Sequence, residues 1–222
     1  VAEVRVGVVD SGHALEQAGC VVAGQRFCLA DDGLERLPLA ADVLGHGSAV
    51  IQTVLSRAPQ ARFSVAQVFD GRGVTSPLQI AAALQWLGGQ GVRVVNLSLG
   101  VRQDRPLLRE AVAELVAAGV LVCASSPARG EPVFPAAYPG VVRVTGDARC
   151  GEGEWSWLGS AQADFGAAVR VAGQAGASLG CAAFCGHVAA LLVERPGVSN
   201  EELLALMREG AVYKGIERRV SL

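Results

Sequence analysis

Val4-Arg-Val-Gly-Val-Val-Asp-Ser-Gly12 is the stretch from which the rest of the chain is read. Val4 to Val9 is a near-continuous β-branched run, the composition of a strand buried on both faces of a parallel sheet. It stops at Asp10-Ser11-Gly12, and open α/β sheets place their sites beyond such carboxyl ends. Asp10 is therefore a site candidate. Taken alone, an aspartate there serves equally well as a turn cap. The turn lacks both G-x-G-x-x-G and G-x-x-x-x-G-K, which argues against a flavodoxin-like nucleotide binder. His13 is assigned to the loop rim, since no second ligand accompanies it.

Further along, the hydrophobic pattern alternates between periods. It predicts strands at 63–68, 92–98 and 120–124, with helices at about 76–90 and 106–118 between them. Pro59 and Pro77 mark a helix end and a helix start. Consecutive βαβ units imply a parallel sheet with right-handed crossovers. The fold class is thus α/β, a single domain over residues 1–222 with helices on both faces of a parallel sheet. Composition agrees: 51% of the residues are apolar, only 5% are aromatic and 28 are glycine, which suits close helix–sheet packing. Residues 14–41 show no clear period, and Asp31, Asp32 and Glu35 there lack calcium-loop spacing, so they read as a solvated loop. No metal site is assigned.

A net charge of −2 offers no basic footprint for nucleic acid and no cationic stripe for a membrane. Apolar runs break before the length of a bilayer span. The six cysteines, at 20, 28, 123, 150, 181 and 185, contain no C-x-x-C pair. A domain of this size does not need disulfides, so reduced thiols and a cytoplasmic location are expected, with Cys20 and Cys28 the best candidate pair otherwise. No signal peptide is visible, although the chain begins at Val1.

Two further segments carry chemistry. Asp42-Val-Leu-Gly-His46-Gly-Ser-Ala-Val-Ile places a histidine between glycines at the start of an amphipathic helix, where an imidazole can be reached and can serve as a base near neutral pH. Gly176-Ala-Ser-Leu-Gly-Cys-Ala182-Ala-Phe-Cys-Gly-His187-Val-Ala reads as a turn of small residues opening a buried helix. After Glu194, Arg-Pro-Gly-Val-Ser199 ends that helix, and Ser199 with Glu202 forms the cap of the next.

Together these segments resemble the subtilisin-like serine proteases, the subtilases. V-x-V-x-D-[ST]-G corresponds to the stretch through Asp10, D-x-x-G-H-G-T-x-V-A to that through His46, and N-x-S-L-G to Asn96-Leu-Ser-Leu-Gly100. F-P-A-x-Y-P-x-V-I-x-V corresponds to Phe134–Val144. Aligning G-T-S-x-A-x-P-H-V-A on His187 puts Ala182 at the position of the nucleophilic serine, so the chain is expected to be inert. Two explanations compete, a natural pseudoprotease that still holds peptides and a replaced serine; the intact Asp10 and His46 motifs favour replacement. Ser178, in Gly176-Ala177-Ser178, looks locally like G-T-S but stands nine residues before His187 where the family has five.

The resemblance implies a serine endopeptidase with Asp10 orienting His46, and no cofactor. An extended peptide or protein substrate would pair with Leu99, Gly100 and Val101 by β-augmentation. Where the family carries an oxyanion-binding asparagine this chain has Ala128, so Ser125 or Ser126, or backbone N–H groups, are the candidate donors. His187 is expected to be structural and to pack beneath the site. Beside the family, the compactness, the missing N-terminal calcium-binding stretch before Asp10 and the free thiols look more like an intracellular processing protease than a degradative secreted one, and a monomer is expected.

Overall fold

Strand β1 (Val4–Asp10) is buried at every position except Arg5, as a strand flanked on both sides and covered on both faces must be. The computed structural model describes residues 3–171 and 174–217. After β1 come a 3₁₀ turn (Leu15–Cys20), β2 (Val21–Ala30), β3 (Gly33–Leu37), α1 (His46–Leu55), β4 (Ala61–Gln67) and α2 (Pro77–Gly88). β5 (Val94–Leu97), α3 (Pro106–Ala117), β6 (Leu121–Ser125), β7 (Val142–Asp147), β8 (Trp155–Trp157) and β9 (Phe165–Ala168) follow. The chain then forms a small ribbon, β10 (Arg170–Val171) with β11 (Gln174–Ala175), and closes with α4 (Ala177–Glu194), α5 (Asn200–Glu209) and β12 (Tyr213–Lys214).

Ten strands make one sheet in the order β12-β8-β9-β7-β6-β5-β1-β4-β2-β3. Its interior is parallel, as expected from the βαβ pattern; β2–β3 and β8–β9 are antiparallel because no helix separates their sequences far enough for a crossover. The stretch 14–41, illegible in the sequence, is this 3₁₀ turn and hairpin, with Asp31-Asp32 as its two-residue turn. β1 lies between β4 and β5, the point where the chain reverses its direction of travel across the sheet. Crevices open at such switch points.

Side-chain alternation divides the core. Val4, Val6 and Val8 face α1 and α4, together with Cys123, Phe165 and Phe184. Val9, Val95 and Leu97 face α2 and α3. α4 is long and apolar enough to cross a bilayer, with 18 residues and a mean hydropathy of 1.6, contrary to the shorter apolar runs read from sequence; its position against the sheet and α1 accounts for that composition. Ser76 caps α2 ahead of Pro77, and Ser199 caps α5 by accepting the Glu202 N–H at 3.2 Å.

All six cysteines are unpaired. The candidate pair Cys20–Cys28 is not formed: the two residues bracket most of β2, and eight residues of strand separate their Cα atoms by about 26 Å, far beyond disulfide reach. Cys123 on β6 and Cys181 and Cys185 on α4 have no exposed surface, and the Cys185 thiol contacts the other two.

Candidate active site

The carboxyl end of β1 delivers Asp10, whose side chain is wholly buried. Its Oδ1 accepts the Ser11 N–H at 2.8 Å and the His46 Nδ1–H at 2.8 Å, with Oδ2 3.0 Å from the same nitrogen. His46 is the first residue of α1, and its ring stays 36% exposed. This proximity depends on Gly47: a Cβ there would run into the backbone of Gly12, so only glycine lets α1 start against the turn after β1. Ser11 Oγ ties the two segments further by accepting the Gly47 N–H at 2.9 Å.

The hydrogen bond to Asp10 raises the His46 pKa above the ordinary imidazole value, against the opposing effect of burial, and the charge of Asp42 adds to the rise. Asp42 itself fastens the start of the helix, accepting from Gly45 N, Ser48 N and Ser48 Oγ at 2.6–2.8 Å. Burial pushes its carboxyl up, but those hydrogen bonds, led by Ser48, hold it below the usual carboxylate range.

Strand register carries the site sideways. Val9 pairs with Leu97, and Leu97 with Ala124, so Asp10, Ser98 and Ser125 follow at three adjacent strand ends. Their side chains share the face that carries α1 and α4. Onto Ser98 comes the first turn of α4, where Ser178 is the second residue. Ser98 Oγ donates to the Ser178 carbonyl at 2.9 Å, and Ser178 Oγ donates to the Ser98 carbonyl at 3.1 Å. Buried Asn96 steadies this contact, its amide donating to Ser98 Oγ at 2.9 Å.

Ala182 lies one helical turn deeper, with no exposed surface, inside the cluster that includes Cys181, Ala183 and Phe184. A side chain sealed in the core does not face a substrate, which is at odds with Ala182 as the presenting position implied by alignment on His187. His187 packs its ring against Trp155, tilted by 41° with centroids 4.8 Å apart, and accepts from Arg57 Nε at 3.3 Å. A serine at the start of the same helix stands in Gly176-Ala177-Ser178-Leu179-Gly180, whose last glycine lets α4 press on β7: a Cβ at 180 would come within 2.9 Å of Gly146.

The model of the subtilase family matches residues 5–220. The chain belongs to the subtilase family. Among its relatives, Subtilisin Savinase of Lederbergia lenta is 32% identical over 152 residues, 64% of this chain and 54% of that protein. The alkaline protease of Shouchella clausii is 32% identical over 152 residues, which cover 38% of its length. The aligned stretch thus spans about half or less of these relatives. Among solved structures, the S41 psychrophilic protease superposes with a TM-score of 0.74 at 20% identity, covering 96% of this chain and 86% of that one. A cold adapted subtilisin-like serine proteinase gives 0.73 at 22% identity, covering 93% and 81%. At these identities the likeness is one of fold, the single-domain, mostly parallel α/β sheet already described.

In this subtilase the two candidate oxyanion donors part company. Ser126 is 3% exposed and its hydroxyl donates to the Gln162 carbonyl at 2.7 Å. Ser125 is half-buried at the end of β6, on the α4 face. Beyond β5, Val101 bridges Phe134 in antiparallel fashion through bonds of 2.7 and 2.9 Å. By alternation the Gly100 N–H and carbonyl point to the opposite edge, where no described residue meets them, while Leu99 is 8% exposed and anchors the segment. Among the described residues no three His, Cys, Asp or Glu side chains gather as a metal would need.

Proposed function

We propose that the chain is a serine endopeptidase in which Ser178, not residue 182, is the nucleophile. What supports this is a buried Asp10 bound to His46 at the end of β1 and, at the adjacent end of β5, a serine hydroxyl that the first turn of α4 holds on Ser98. With Nδ1–H held by Asp10, the His46 Nε2 is the free basic nitrogen. It takes the Ser178 proton as Oγ adds to the scissile carbonyl, and returns it to the leaving amine when the tetrahedral intermediate collapses to the acyl-enzyme. Water then repeats the cycle through the same imidazole. The Ser178 hydroxyl points to the Ser98 carbonyl in the free protein, and one χ1 rotation releases it for this role.

The oxyanion falls to the first N–H groups of α4, at the positive end of the helix dipole, with Ser125 Oγ as the side-chain donor. An extended peptide adds as a strand along the free edge of Leu99-Gly100-Val101. The inactive peptide-holding alternative rested on alanine at the presenting position; with Ser178 there, we propose an active enzyme. A hydroxyl donor of modest reach leaves more of the rate to substrate binding energy, which favours a processing protease with a particular protein substrate. The six unpaired thiols favour a reducing compartment, the cytoplasm.

A fluorophosphonate probe tests the assignment. The parent protein is expected to take up one equivalent, mapped by mass spectrometry to Ser178, and Ser178→Ala to take up none. Labelling elsewhere, or none in the parent, overturns it.

A further inference from the structure

Among the described residues the half-buried arginines are hydrogen-bonded or ion-paired, with one exception. Arg57, Arg62, Arg93, Arg143 and Arg149 all have partners. Arg26 has none among the described residues; its Nε is sealed from solvent without an acceptor, as is Nη2 of Arg57, but Arg57 bonds through its other nitrogens. A buried guanidinium N–H left unmade is rare and calls for an explanation.

No ligand can reach that Nε, but Nη1 and Nη2 are not sealed and have no partner among the described residues, so they are the groups left to meet one. Asp10 is in register with Gln67, and Gln67 with Arg26, so the three stand side by side at the same sheet edge. Register partners share a face, which puts Arg26 on the His46 side, two strand spacings or about 10 Å from Asp10. Gln67, in between, is saturated: its amide donates to the Ser11 and Ala40 carbonyls and accepts the Ala40 N–H. It has nothing left for Arg26.

Arg26 lines a cleft of about 470 Å³ that runs from Ser11 past Val43, Leu44 and Val74. Asp70, the acid of that cleft, is already paired with Arg72 by two hydrogen bonds of 2.8–3.0 Å. The cleft therefore keeps one unneutralised positive charge. Val43, Leu44 and Val74 are 74%, 41% and 56% exposed at its rim, apolar surface that excludes water from whatever the guanidinium binds. Ser11, next to Asp10, and Leu44, two residues before His46, stand on its wall, so the cleft borders the Asp10–His46 pair.

We propose that Arg26 is a specificity residue which receives the side-chain carboxylate of an aspartate or glutamate in the substrate. A fork of guanidinium N–H groups matches a carboxylate in two-point contact. A span of about 10 Å is about three residues of extended chain, so the acid lies two to four residues from the scissile bond. This rests on the endopeptidase reading above.

The test uses end-blocked peptides that differ only in Glu, Gln or Lys at each position around the cleavage site. For the parent enzyme, kcat/KM is expected to favour Glu over Gln by tenfold or more at one position, the ratio shrinking as salt rises. Arg26→Gln is expected to bring that ratio close to one, and Arg26→Glu to favour Lys there. Arg26→Lys, which keeps the charge without the fork, is expected to fall between, and it stands in should the reversed charge prevent folding. A Glu/Gln ratio within twofold in the parent, a ratio unchanged in Arg26→Gln, or a preference seen only in peptides with a free carboxyl terminus overturns the inference. The same peptides titrated onto Ser178→Ala by fluorescence anisotropy read the preference without turnover. Absence of cleavage alongside tighter Glu binding would then overturn the endopeptidase reading and leave Arg26 standing.

Discussion

Ser178 and Ala182 differ by one helical turn, and that turn separates a reachable hydroxyl from a sealed methyl group. Ala182→Ser is accordingly expected to add no activity; it buries a hydroxyl among apolar neighbours, which costs about 1–3 kcal/mol and lowers the melting temperature. Ser178→Ala is expected to reduce turnover by several orders of magnitude while leaving the melting temperature nearly unchanged. In the proposed mechanism His46 sets the pH profile. Only its neutral form accepts the serine proton, so kcat/KM falls on the acid side with a midpoint above about 6.5, the ordinary imidazole value, because Asp10 raises it. Asp10→Asn is expected to move that midpoint down along with a large loss of kcat. The contribution to stability has the opposite sense. A pKa higher in the folded state makes the Asp10–His46 pair fully stabilising below about 6.5 and progressively less so as pH rises through the folded value. Asp10 and His46 were legible from their immediate neighbours in sequence. The proposed nucleophile Ser178 was not, because a histidine farther along the helix competed as the anchor of the alignment, and both turns are rich in small residues.

At the level of elements, the start of α1 is set by contact with the turn after β1. Gly47→Ala forces the helix off Gly12, so a loss of kcat of a hundredfold or more is expected with a melting temperature lowered by several degrees, read by turnover and calorimetry. A second prediction concerns α4 and the strand β8 it packs against. Burial, with the charge of Arg57 beside it, holds His187 at a pKa of about 4. Between about 6.5 and 4 the unfolded chain therefore binds a proton that the folded one refuses, and stability declines as pH falls through that window. The loss reaches about 3 kcal/mol at its lower end. His187→Gln is expected to flatten this part of the denaturation-midpoint profile; an unaltered slope would show that other groups set it. The parallel strands and α2 and α3 could be foreseen because their apolar runs and Pro starts agree. The hairpin of β2 and β3 escaped notice because its outer strand is mostly exposed, leaving Gly33–Leu37 with little hydrophobic alternation to read.

For the molecule as a whole, the sheet edge gathers what the sequence scatters: residues 10, 46, 98, 125 and 178 become neighbours because three strand ends stand in register and two helices begin above them. Order along the chain announced the family, whereas Arg26 was invisible until β2 was seen beside β4, since an arginine without a partner has no signature in sequence. The shielded thiols of Cys123, Cys181 and Cys185 supply a clock for the stability of this assembly. Burial leads the forces that hold the Cys185 thiol well above its ordinary pKa, and no reagent reaches any of the three while α4 lies on the sheet. Alkylation followed by mass spectrometry is expected to mark the half-buried Cys20 and Cys28 first. The inner three should then appear together, in one step, at the rate at which α4 lifts away. Their joint appearance would time the opening of the whole domain from within, with no label introduced.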